Sequence, residues 1–110
     1  MVLGENYYFS GMKKYFAVLL HAPRPSFTQD MSAEERAVMQ QHLAYWTKFM
    51  DKGHVIAFGP VMDPKGGYGL GIVGVQDEEE VKEFIAGDPC HGMLRFEYHP
   101  MRAVVPEAFR

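Results

Sequence analysis

The chain has 110 residues, 47% hydrophobic, 14% aromatic and 23% charged, a composition that suits one globular domain and leaves no room for two. Eleven Lys and Arg face fourteen Asp and Glu, a formal net charge of -3, so no basic excess exists to neutralise a run of phosphates, and nucleic acid is not an expected partner. The single cysteine, Cys90, permits no internal disulfide; no apolar run approaches the ~20 residues that cross a bilayer, and no signal-peptide pattern opens the chain, so the expectation is a cytoplasmic protein with no membrane partner.

Residues 1–11 are set apart. Glu5-Asn6-Tyr7-Tyr8-Phe9-Ser10-Gly11 resembles a degenerate protease-cleavage tag ahead of Met12, the alternative being a loosely ordered native arm. The domain is read as 12–110. From Tyr15 to Ala22 an almost unbroken aromatic and aliphatic run predicts the first strand. Pro23 and Pro25 end it, and Ser32-Ala33-Glu34-Glu35 offers a capping box that opens a long helix. Along that helix Val38, Met39, His42, Leu43, Trp46, Phe49 and Met50 form one apolar stripe, which Gly53 closes with a residue suited to a left-handed cap.

Strands over His54 to Met62 and Tyr68 to Gln76, joined by Asp63-Pro64-Lys65-Gly66-Gly67, predict a hairpin. Gly69, Gly71 and Gly74 in the second arm weaken it, yet admit a close backbone or ligand. Asp77 with Glu80 repeats the capping logic for a short helix carrying Val81, Phe84 and Ile85 and stopping at Gly87. Arg95 to Val105 supplies a last strand, with Phe96 and Tyr98 on one face and Glu97 and His99 on the other; Pro100 assigns it to an edge or a bulge. The order strand, helix, strand, strand, helix, strand fits an α+β, ferredoxin-like βαββαβ sandwich, an antiparallel sheet with two helices on one face. The other face is apolar and needs a cover from outside the chain, for which a homodimer formed through the sheet faces is the economical answer.

His42 lies on the apolar stripe, one turn from Val38 and from Trp46, so its imidazole points toward the sheet. Asp88 follows the helix-ending Gly87 and precedes Pro89, which holds it extended and fixes its direction. Taken singly, these are a core histidine and an ordinary Asp-Pro turn. If they meet, the carboxylate selects the tautomer and stabilises imidazolium, the arrangement of an acid/base pair.

His42-Leu43 on the long helix, Gly59-Pro60 ending the second strand, the glycine-bearing third strand, Asp88-Pro89 after the second helix and the closing Val105-Pro106 together resemble the YciI-like (YCII-related) family, over essentially Lys13 to Phe109. The resemblance implies a dimeric α/β barrel of ferredoxin-like protomers with a cleft holding an acid/base dyad, roles that fall on His42 and Asp88. One branch is similar to dehydrochlorinases acting on chlorinated hydroxyquinols. This chain departs from shorter members at Pro23 to Met31 and at Cys90-His91, which leaves the substrate open.

Trp46, Gly59, Pro60, His21 and His91 are the expected pocket residues. His54 reads as surface, and His99, sharing a strand face with Glu97 and Met101, as a dimer contact at least as readily as a chemical group. Asp88, Cys90, His91 and His99 include ligand types, but adjacent Cys-His lacks the paired spacing of zinc sites, so no metal is expected. Cys90 reads as a buried or half-exposed thiol rather than a nucleophile. Gly66-Gly67-Tyr68-Gly69-Leu70-Gly71 leads into a strand, not a helix, and so is no nucleotide fingerprint. The leading expectation is a cofactorless enzyme acting on a small molecule by proton transfer, elimination or isomerisation. The alternatives are a non-catalytic dimeric ligand-binding module and, by fold analogy, a cofactor-independent monooxygenase.

Overall fold

A computed structural model of the chain describes residues 7–9 and 13–109. In chain order they form β1 (Tyr7–Phe9), β2 (Lys14–His21), α1 (Phe27–Asp30), α2 (Ala33–Asp51), β3 (Val55–Val61), β4 (Tyr68–Val75), α3 (Glu78–Ala86), β5 (Arg95–Met101), β6 (Val104–Pro106) and a closing 3-10 turn, Glu107–Phe109. Four strands make one antiparallel sheet in the order β3-β4-β2-β5. The two central strands are thus the first of each half, which is the split βαβ arrangement of a ferredoxin-like α+β sandwich.

Side-chain alternation along β2 divides the two faces. Phe16, Val18 and Leu20 point toward the helices and form the main core with Val73 and Val75 of β4, Trp46 of α2, and Val81, Phe84 and Ile85 of α3. Ala17, Leu19 and His21 point the other way and are half-buried. The register places Ala17 opposite Ile72 and Leu19 opposite Leu70 on that open face. One end of it is closed by the chain's own C-terminal segment: Tyr15, Ala103 and Val105 are buried together, with Ile56, Ile72 and Phe109 packed against them. The Tyr15 hydroxyl donates to the Phe109 carbonyl.

Of the three positive-φ glycines among the described residues, Gly53, Gly66 and Gly92, the first two lie where the sequence placed a reversal. Gly53 has φ +84°, directly after α2, and Gly66 has φ +139° in the β3–β4 turn. The capping box at Ser32 is complete: its hydroxyl accepts the Glu35 N–H at 3.1 Å while Glu35 accepts the Ser32 N–H at 2.8 Å.

Two expectations are corrected and one element is added. The single last strand breaks after Met101: β5 is the sheet's edge strand, where the ladder position without an N–H at Pro100 is tolerated, and β6 instead pairs antiparallel with β1. The segment after Pro23 contains a short helix, α1, whose Phe27 turns inward and is 2% exposed. The α2 stripe is narrower than its spacing indicates, since Leu43 is 55% exposed. Of residues 1–11, read as tag or arm, all but Tyr7–Phe9 lie outside the described residues. Among the described residues no helix is long and apolar enough to cross a membrane.

Candidate functional site

Two elements carry the pair at the centre of the site. The spacing of α2 puts His42 and Trp46 one turn apart on its inward side, with ring centroids 5.7 Å apart. The turn after α3 carries Asp88. Gly87 caps the helix, and a Cβ there would lie 2.7 Å from the Tyr45 hydroxyl, so glycine lets α2 and α3 approach. Phe84 stacks on Tyr45 and meets Trp46 and Phe49 edge-on, locking the two helices together.

The side chains converge. His42 Nδ1 lies 2.8 Å from Asp88 Oδ2 and 3.1 Å from Oδ1. The Trp46 indole Nε1 donates to Oδ2 at 2.6 Å, and the Cys90 backbone N–H donates to Oδ1 at 2.9 Å. The last of these is the local bond that favours Asp in turns, so the ordinary turn role and the long-range pairing coexist in one residue. The Asp88 side chain is fully buried, that of His42 13% exposed. Burial pushes the Asp88 carboxyl up, but the bonds from His42, the Cys90 N–H and Trp46 outweigh it and hold the group below the ordinary carboxylate value. An ionised carboxylate facing Nδ1 selects the Nδ1–H tautomer. Nε2, which has no hydrogen-bond partner among the described residues, is then the nitrogen left for a ligand.

A cavity of about 680 Å3 opens in front of the imidazole. His42 and Trp46 form part of its wall, whereas Asp88 lies behind them. Phe27 and Met31, from the segment between β2 and α2, close one side, and Phe58, Gly59 and Pro60 of β3 close another. Asp63 is the one acidic residue of the wall and no Lys or Arg lines it among the described residues.

The expected pocket residues divide. Trp46, Gly59 and Pro60 line the cavity; His21 and His91 do not. His21 sits on the open sheet face, where the odd-numbered positions of β2 point, and bonds Glu97 at 2.8 Å. His99 takes the other oxygen of the same carboxylate at 2.7 Å, and these bonds, from His99 first, hold Glu97 below its usual value. His91 is exposed beyond the Asp88 turn, its ring 6.0 Å from that of Phe96. His54 is half-buried rather than at the surface, and its Nδ1 is buried without a partner among the described residues.

Cys90 is fully buried, its Sγ 3.4 Å from His42 Nδ1. Burial, then the Asp88 carboxylate, push the thiol far up, which suits packing and not nucleophilic attack. His42, Asp88 and Cys90 bring ligand-type atoms within 4.8 Å of one another. Both carboxylate oxygens already accept N–H donors, and the indole N–H points into the group, so the donor set fits a hydrogen-bonded dyad and not a cation. What sequence reasoning missed was the Trp46–Asp88 bond. The available signal was chemical: a buried indole N–H requires an acceptor.

The fold and this pair define a ferredoxin-like protein with a histidine–aspartate site beside a cavity. The YCII-related domain matches residues 15–94, and the chain belongs to that family. No curated protein matches the chain.

Proposed function

We propose that the protein is a cofactorless acid/base enzyme for a small, uncharged, largely apolar ligand. His42 exchanges the proton through Nε2, and Asp88 orients it and stabilises imidazolium. The observation that carries this reading is the imidazole shared between two environments: Nδ1 is held by a buried, ionised carboxylate while the ring faces the 680 Å3 cavity. The described wall holds no Lys or Arg, and the His42 imidazolium is already paired with Asp88, so a carboxylate or phosphate buried there would find no free cation to offset its desolvation. A hydroxylated or chlorinated ring fits the aromatic and aliphatic wall. In an elimination, Nε2 takes a C–H proton, the C–H pair forms the new double bond, and chloride leaves with the C–Cl pair.

The test is a turnover screen over chlorinated hydroxyquinols and lactones, following chloride release and proton exchange. For any compound turned over, His42→Ala lowers the rate by ~10²- to 10⁴-fold with the fold retained; an unchanged rate overturns the reading. One observation favours a second reading. Asp88 is saturated by three donors, as it would be in a binding module whose polar groups merely satisfy one another. In that case, ligands shift His42 resonances and none is converted. A second copy covering the open sheet face is part of the proposal, since Ala17, Leu19, Leu70 and Ile72 remain only half-buried there.

A further inference from the structure

Trp46 faces two ways: one side of its ring lines the cavity, and its Nε1 reaches Asp88. The Asp88 carboxylate is fixed by two donors besides the imidazole, one from α2 and one from its own turn. Nε1 of Trp46 holds Oδ2 at 2.6 Å, and the Cys90 N–H holds Oδ1 at 2.9 Å. The indole is fixed in turn by what surrounds it. It is 1% exposed, with Phe58 and Phe84 at centroid distances of 5.3 and 4.7 Å. Below it lies Gly71 of β4, where a Cβ would fall 2.6 Å from Cη2 of the indole and nearer still to Cζ3. Glycine at that position clears the sheet for the indole, whereas Gly69 of the same strand lines the cavity.

We propose that Trp46 is a positioning residue of the site, seated by Gly71, and that its N–H holds the Asp88 carboxylate ionised and aimed at Nδ1 of His42. For its catalytic meaning this rests on the acid/base reading above; its geometry is testable without turnover. A charge-assisted bond from a buried indole is stronger than a neutral one and leaves the carboxylate little freedom to rotate. The groups facing Asp88 are His42 and Trp46 from α2 and Cys90 from its own turn. Tyr45 also feels the carboxylate, which adds to the effect of burial in raising its phenol, but its hydroxyl donates to the Phe84 carbonyl at 2.8 Å.

The chain contains one tryptophan, so its indole N–H resonance needs no assignment. In the intact chain carrying ¹³C at the aspartate γ-carboxyls, the Asp88 carbon and the indole N–H titrate together on acidification. Trp46→Phe keeps an aromatic ring and removes the donor, and the Asp88 midpoint then moves to higher pH. Gly71→Ala keeps every hydrogen-bonding group but displaces the ring; the same upward move is expected, with loss of the downfield indole shift. An Asp88 midpoint unchanged in a folded Trp46→Phe chain overturns the proposal, and that variant decides alone if Gly71→Ala does not fold. A Gly71→Ala chain that titrates as wild type removes Gly71 from it. The catalytic reading fails separately, by full turnover in His42→Ala, which leaves these titrations standing.

Discussion

Asp88 shows how much one buried carboxylate organises. Asp88→Ala leaves the indole N–H, the Cys90 N–H and the His42 Nδ1–H without their acceptor, each costing ~1–3 kcal/mol if no water replaces it. Thermal unfolding of that variant is expected several degrees or more below wild type. The acid limb of stability follows from the same bonds. The folded carboxyl lies below its ordinary value, so its contribution is complete above the ordinary carboxylate range and is lost as pH falls through the lower folded value. Asp88→Asn should flatten that part of the stability–pH curve measured by urea unfolding; an unchanged slope would mean that other carboxylates dominate it. His42 and Asp88 were legible because helical spacing gives sidedness and Asp-Pro gives direction. The indole bond was not, because periodicity says which way a side chain points but not which acceptor meets its polar edge.

The segment from Pro23 to Met31 was legible as a break and opaque as a wall. Its proline content ended β2 correctly, but nothing in its polar stretch showed that Phe27 would turn inward or that Arg24 would clasp it. Arg24 donates to Asp30 at 2.8 Å and to both Glu35 oxygens, at 2.8 and 2.9 Å. Those bonds, with the Ser32 cap, lower the Glu35 carboxyl to about 2. Such pairing depends on partners far apart in the pattern, and so escapes local reading. Phe27→Ala is expected to enlarge the cavity and admit bulkier rings, measured as a changed rank order of ligand affinities. Arg24→Ala should leave the sheet intact and accelerate amide exchange across 26–30; exchange unchanged there would show that Phe27 alone holds the segment. The last strand was misjudged because a run of strand-forming residues does not reveal where a chain leaves one sheet to join another.

At the scale of the molecule, the order of elements was readable because each has its own stop signal: Gly53 after α2, the Asp63 to Gly67 turn, and Gly87 after α3. The proposed covering of the open face is tested by sedimentation. Wild-type protein is expected at twice 12.5 kDa, and Leu19→Asp, a charge set into the half-buried middle of that face, should shift it toward the monomer with helix content retained. A monomeric wild type would leave the face to some other cover. Glu97 with His21 and His99 supplies the polar part of the same surface; the His21–Glu97 bond runs from β2 to β5 and ties the edge strand to the centre, while His99 bonds Glu97 within β5.

The placement of the one indole between the hollow and the hidden carboxylate has a practical consequence. Its intrinsic fluorescence is a built-in gauge of the site, free of background from other tryptophans. Unlabelled protein in a cuvette should therefore report both occupancy, as quenching by an aromatic guest, and the charge state of the group behind it. Compound libraries can then be sorted optically before any reaction is known.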